Sequence, residues 1–387
     1  MPASSPHLAV ALDGAGWHPA AWREPGARPG ELFTAGYWTD LVQEAEHGLL
    51  DFVTFEDSLA MQTSTRRTDD DRTDQIRGRL DAVLVAARVA PVTRHVGLVP
   101  SVVVPHTEPF HTSKAIATVD FVSGGRAGLR VLAAAWPQET RHFGRREFAA
   151  PSGADRFAEA ADYVEVVRRL WDSWEDDAEI RDAATGRFVD IGKLHYIDFE
   201  GQWFKVKGPS ITPRPPQGQP IVTALAHTGE PIRFAARRAD VVFVTPRDTD
   251  GARGLVERVR TEQATAGRAD EPLHVFGDLV VFLDTDQATA TARLARLDDL
   301  AGGAYTSDAL VFTGSAAELA DLLLEWHAAG LSGFRLRPGA LPHDLHAITR
   351  ELVPELRRRG AFRDAYEAHT LRGLLGMTRP VDRYASG

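Results

Sequence analysis

In the stretch GLLDFVTFEDSLA (48–60), an apolar run through Phe52, Val53, Thr54 and Phe55 breaks at once into Glu56, Asp57 and Ser58. Neighbouring carboxylates suit proton transfer, pairing with a cation, or accepting N–H bonds from a ligand. At the end of a buried strand they are costly unless one of these uses is made of them. Comparable polar residues follow two other apolar runs: Ser101 and His106 around the end of HVGLVPSVVV (95–104), and His227 and Thr228 after IVTALA (221–226). Each of these serves equally well as a helix cap or as the lining of a solvated loop. HTEPFH (106–111) holds two histidines, but the intervening Pro109 spoils a helical ligand pair, so no metal site is expected and His111 packs locally ahead of a helix. No Gly-x-Ser-x-Gly, His-Glu-x-x-His or Walker loop is present.

Composition narrows the function classes. The formal net charge is -10, from 54 Asp and Glu against 44 Lys and Arg. That balance argues against nucleic acid or an anionic membrane as the main partner. Cysteine is absent, which removes disulfides, thiolate catalysis and zinc–sulfur sites. The opening MPASSPHLAVALDGAG lacks the basic region and apolar core of a signal peptide, and no run reaches the length of a membrane span. A cytoplasmic protein is expected.

The elements that must position these residues alternate. Strand-like HLAVALDG (7–14), the run at 52–57, HVGLVPSVVV, RAGLRVLA, IVTALA, VVFVTP, LHVFGDLVVFLD and GFRLRP are separated by helical patterns. Examples are YWTDLVQEAEHGLL (37–50), TSKAIATVDFVSGG (112–125), DRFAEAADYVEVVRRLWDSW (155–174) and SAAELADLLLEWHAAG (315–330). Short, wholly apolar strands are those covered on both faces. Eight strand–helix units predict a single (β/α)8 TIM barrel over residues 1–387, with an insertion at about 176–219 and a C-terminal extension at about 360–387. GRFVDIGKLHYIDFEGQWFKVKGP (186–209), within that insertion, reads as a hairpin around Glu200-Gly201. A doubly wound sheet is the competing architecture. It is weakened because GGRAG (124–128) runs from helix to strand, the wrong direction for a phosphate cradle. In a barrel, Glu56, Asp57, Ser101, His106, His227 and Thr228 all fall at the C-terminal ends of strands, where ligands bind.

Several blocks then become recognisable: HPAAWREPGA (18–27), EAEHGLLDFVTFEDS (44–58), EPFHTSKAIATVDFVSGGR (108–126), ADYVEVVRRLWDSWEDDA (161–178), FEGQWFKVKGPSITPRPPQGQPIV (199–222) and VPELRRRGAFRDAYEAHTLRGLLG (353–376). Together they resemble the flavin-dependent monooxygenases of the bacterial luciferase-like superfamily, in the branch of nitrilotriacetate monooxygenase, dibenzothiophene-sulfone monooxygenase and pristinamycin IIA synthase. The resemblance spans nearly the whole chain. It implies a barrel of the luciferase-like type with insertions. It also implies reduced FMN supplied by an NAD(P)H-dependent flavin reductase, O2 as co-substrate, flavin C4a-peroxide chemistry on a small organic molecule, and a homodimer or homotetramer. A non-catalytic or subunit-type barrel and a deazaflavin-dependent dehydrogenase of the same superfamily are the alternatives.

The resemblance assigns cofactor contacts to Asp57, Ser101, His227 and Thr228, and places Gly153 and Phe157 where the family carries a His and a Tyr. Asp57 is expected at the isoalloxazine and His227 with Thr228 at the phosphate. Glu56 is expected on the opposite strand face, paired with a helix. Where the family shows Trp-Asn and then Thr-Ser, this chain has Leu129, Arg130, Ala133 and Ala134. His106, Arg130, Trp136 and His142 are the substrate-side candidates. Arg130 has three readings: a partner for Asp57, a contact for a substrate carboxylate, or a replacement in flavin binding. The apolar Phe362, Tyr366, Leu371, Leu374 and Leu375 of the C-terminal extension need a surface outside the barrel.

Overall fold

The computed structural model describes residues 5–63, 70–133, 136–144 and 153–385. Eight parallel strands close into a barrel: β1 (His7–Leu12), β2 (Phe52–Phe55), β3 (Gly97–Val103), β4 (Gly128–Leu132), β5 (Ile221–Leu225), β6 (Val241–Val244), β7 (His274–Leu283) and β8 (Gly333–Pro338). Each pairs with the next, and β8 returns to β1 with His7 opposite Gly333. The surrounding helices are α1 (Ala35–His47), α2 (Ala82–Val89), α3 (Pro109–Ser123), α4 (Gly153–Trp171), α5 (Gly229–Arg238), α6 (Thr249–Thr265), α7 (Gln287–Ala301) and α8 (Ala316–Ala328). A continuous helical stretch at 343–358, with a π turn at Ile348–Leu352, follows β8. The (β/α)8 expectation therefore holds.

Two parts depart from the sequence reading. Between β7 and α8 lie a further helix, α7, and a ninth strand, Leu310–Gly314, which pairs with the upper half of β7 beyond the end of β6. Its signals are local: Asp286 caps the helix by accepting from the Thr289 amide, and left-handed Gly302 ends it. The apolar face is thin, with only Ala290, Arg293 and Leu297 buried, so periodicity alone misses it. Between α4 and β5, two small antiparallel hairpins pair Glu179–Asp182 with Arg187–Val189 and Phe199–Glu200 with Lys205–Val206. The second turns at Gly201, as expected.

The C-terminal segment does not lie outside the barrel. Leu371, Leu375 and Met377 cluster with Ala9, Phe52, Val99, Ile221, Val241, Phe243 and Phe276, the inward residues near the N-terminal strand ends. They form the barrel's floor. Phe362 is buried in the main core, and the Tyr366 hydroxyl donates to the Leu50 carbonyl. The apolar residues expected to need a surface outside the barrel are thus covered by the chain itself. Two strand positions make room for the floor: a Cβ at Gly97 would stand 2.6 Å from Leu371 Cδ1, and one at Gly128 would stand 3.4 Å from Leu371 Cδ2.

Leu371→Ala is expected to destabilise the protein by about 2–5 kcal/mol, read by denaturant unfolding. Gly97→Ala should be destabilising alone but markedly less so in the Leu371→Ala background. Strictly additive losses would show that the two residues do not share this floor.

Candidate active site

A cavity of about 930 Å³ opens at the C-terminal end of the barrel. Its walls come from the ends of most strands: Asp13 and Gly14 after β1, Glu56 and Asp57 after β2, Val103, Arg130, Leu132, Leu225, His227 and Arg337. The loop at 301–308 and parts of the segment 58–79 complete it. The size suits a cofactor with a small substrate.

Alternation along β2 decides which carboxylate faces inward. Phe52 lies in the floor, so Thr54 and Glu56 also point into the barrel, whereas Val53 and Phe55 join the strand–helix core. Glu56 is therefore not paired with a helix, contrary to expectation. Its Oε2 accepts from Arg130 Nη1 at 2.5 Å, and its Oε1 from Arg335 Nη1 at 3.2 Å. Burial pushes its carboxyl upward, but the charges of Arg130, Arg335, Arg337 and Arg79 outweigh this and hold it below the usual carboxylate range.

The pair belongs to a longer chain of charges. Arg335 donates to Asp278 at 2.6 and 3.1 Å, Arg337 also bonds Asp278, and Arg337 donates to Asp308 at 2.6 Å. Three arginines (130, 335, 337) alternate with three acids (56, 278, 308), so the chain is electrically balanced. Arg335 lies over Phe243 at 4.3 Å and Arg337 over Trp17 at 4.5 Å, which covers the faces of both guanidiniums. Arg130 is 4 % exposed and also donates to Ser101 Oγ at 3.0 Å. Burial pulls its pKa down to about 10, against the opposing pull of Glu56, and it stays cationic at neutral pH.

Asp57 sits in a different environment. Its Oδ1 accepts from the Ser58 amide at 2.7 Å and its Oδ2 from the Ala82 amide, at the start of α2, at 3.0 Å. Burial pushes its carboxyl up to about 6, with those two N–H bonds opposing the shift and Asp81 adding to it. Of its expected partners, the backbone amides are the ones found; Arg130 is taken by Glu56.

Four of the ten candidate residues line the cavity: Asp57, Arg130, Trp136 and His227. Thr228 is the exposed N-cap of α5; its hydroxyl makes no capping bond, and Gly229 follows with φ +51°. His227 bonds Thr245 Oγ1 at 2.9 Å and lies 3.4 Å from Asp308. Ser101 is buried against Arg130 rather than in the cavity wall. Gly153 begins α4, and Phe157 packs on Phe234 at 5.8 Å; neither lines the cavity. His106 stacks on Phe143 at 5.0 Å, and His142 is exposed on the short helix Pro137–Phe143. Ala134 lies outside the described residues.

Other wall residues had not been singled out. Glu139 accepts from Ser58 Oγ, the Leu59 amide and the Trp136 amide, and so ties the β2 loop to the β4 loop. Asp13 pairs with Arg79 at 2.6 Å. Arg337, also in the wall, and the fully buried Arg335 carried a legible signal, two cations at period two in GFRLRP.

The wall also holds buried polar atoms with no hydrogen-bond partner among the described residues: Trp17 Nε1, Arg130 Nε, Arg337 Nε and Gln138 Oε1. Leaving each unpaired costs about 1–3 kcal/mol. Three are N–H donors and Gln138 Oε1 is an acceptor, a set that suits a ligand with carbonyl and ring-nitrogen acceptors and a ring N–H, as a flavin has. No group of three or more metal-ligating side chains occurs among the described residues.

The luciferase-like monooxygenase family profile matches residues 15–333. The chain belongs to that family. Two relatives match at 29% identity. N-acetyl-S-(2-succino)cysteine monooxygenase of Bacillus subtilis (strain 168) aligns over 98% of both chains. Nitrilotriacetate monooxygenase component A of Aminobacter aminovorans aligns over 96% of both. A solved riboflavin lyase, holding modified FMN and riboflavin, shares the fold with a TM-score of 0.86 at 24% identity over 98% of each chain. The protein is a flavin-dependent monooxygenase.

The Asp57 shift has a stability signature. Between 3.8 and about 6 the folded chain holds a proton that the unfolded chain has released. Wild type should therefore lose stability relative to Asp57→Asn as pH rises through that window, with a constant difference above it. Urea midpoints of both proteins from pH 4 to 7.5 check this; a difference that does not change with pH would contradict it.

Proposed function

We propose that this chain is the oxygenase component of a two-component system. It takes reduced FMN from an NAD(P)H-dependent flavin reductase, works in the cytoplasm where NAD(P)H is made, and oxidises a small organic substrate with O2. Bound reduced flavin supplies the electrons that activate O2, one oxygen atom going to substrate and the other to water. The chain's own residues bind, orient and exclude water.

The observation that carries this reading is one cavity with two complementary ends. At one end of the wall is His227, followed directly by the N-terminus of α5, where Thr228 lies outside the cavity lining and makes no capping bond and the first helix amides would donate to an anion. On the other side are Asp57 and the unpartnered N–H groups of Arg130 and Trp17. A phosphate at the first and a heteroaromatic ring at the second is the arrangement FMN would satisfy.

Two measurements test it. Thr228→Ala should weaken FMN binding by roughly tenfold and leave riboflavin binding nearly unchanged, since a hydrogen bond to a charged group is worth about 1.5–3 kcal/mol. Equal losses for both ligands would reject the phosphate assignment. With a flavin reductase, NADH and 18O2, candidate organic substrates should gain one labelled oxygen. Failure of the wild-type protein to bind any flavin would remove the proposal.

A further inference from the structure

We propose that Glu56 and Arg130 act as one unit that sets the preference of this cavity for reduced over oxidised flavin: Arg130 presents a fixed charge to the ring system, and Glu56 is the residue that positions it. This rests on the flavin reading above and deepens it.

The placement comes from the sheet. Arg130 on β4 lies opposite Thr223 on β5, its direct neighbour, and β5 leads to His227 and Thr228. A cofactor anchored by its phosphate at the start of α5 reaches the end of β4 with its ring. Arg130 is fixed there by two bonds from one nitrogen, Nη1, to Glu56 at 2.5 Å and Ser101 at 3.0 Å. Glu56 is held in turn by Arg335 at 3.2 Å, and Arg335 by Asp278. The guanidinium cannot swing away without breaking this series. Its Nε remains buried with no acceptor among the described residues, in a side chain that lines the cavity.

The chemistry follows from charge. Oxidised flavin is neutral, whereas two-electron reduced flavin readily gives up a ring proton and becomes an anion. A fixed buried cation favours the anion. Arg79 and Arg337 also line the cavity and, like Arg130, are paired with acids, Asp13 for the former and Asp278 with Asp308 for the latter. Glu56 offsets part of the Arg130 charge, so the two residues of the pair should act with opposite sign. A merely structural ion pair would not behave in this way.

The test is the ratio of dissociation constants for oxidised and reduced FMN, measured anaerobically, with thermal unfolding of each unliganded variant alongside. Arg130→Met should lower the preference for reduced FMN by about tenfold, the scale of one charge at close range. Glu56→Gln should raise it. Arg130→Lys should retain most of it. Shifts of the same sign in Arg130→Met and Glu56→Gln, or no shift in either, would overturn the proposal. Should Glu56→Gln fail to fold, the comparison of Arg130→Met with Arg130→Lys decides: equal ratios reject the role of the charge. A wild-type protein that binds no flavin defeats the functional reading itself. Flavin binding with no change in the ratio defeats only this inference.

Discussion

The alternating chain of charges inside the barrel, from Arg130 through Glu56, Arg335, Asp278 and Arg337 to Asp308, is the constraint on which the site depends. Burying even one of these groups alone would be prohibitive, and a buried ion pair repays its desolvation only when the remaining donors and acceptors are also met. The inner members achieve this by sharing. Glu56 and Asp278 each face two arginines, and Arg337 faces two acids. The chain fastens β2, β4, β7 and β8 to the loop that carries Asp308, so the wall's geometry is fixed from within. Removing a single member would strand its neighbours, at about 3–5 kcal/mol per broken buried pair.

This polar level rests on an apolar floor. Phe52, Phe243 and Phe276 fill the lower barrel, and Leu371 and Leu375 close it from below. Arg335 joins the two levels, with its guanidinium over the Phe243 ring and its nitrogens on Asp278 and Glu56. One chain thereby supplies a rigid base and a charged rim. The adjacent Glu56 and Asp57 show how finely the rim is divided. One is held ionised by arginines; the other is pushed up to about 6 by burial with only backbone amides to oppose it. Two neighbouring carboxylates thus acquire different protonation behaviour from the pleat alone.

The pleat also explains what the sequence could and could not tell. Eight short apolar strands were legible because both faces of a barrel strand are covered. That same property hides which face is which. In FVTF every residue is buried, so the run gives no inward or outward signal, and Glu56 was assigned to the helix side although it lines the cavity beside Asp57. Phe52 settles the matter through its packing on Phe243 and Phe276, inward residues of strands far away in the sequence. GFRLRP was different, since arginines at alternate positions must share a face. The helix after β7 was missed because its buried face carries Arg293, which bonds Asp344, where a leucine would have advertised it.

The departures from the family pattern look different once placed. Leu129 and Ala133 pack in the strand–helix core, not in the cleft. Gly153 and Phe157 lie away from the cavity wall. Among the described positions, the one replacement that projects into the barrel is Arg130, and its charge is met by Glu56 from the neighbouring part of the wall. A large cation in a tight interior would ordinarily mark a damaged site. Here it arrives with its counter-ion, a second hydrogen bond donated to Ser101 and a place in a balanced series. The cleft has therefore been rebuilt around a charge that is held in place from the wall itself.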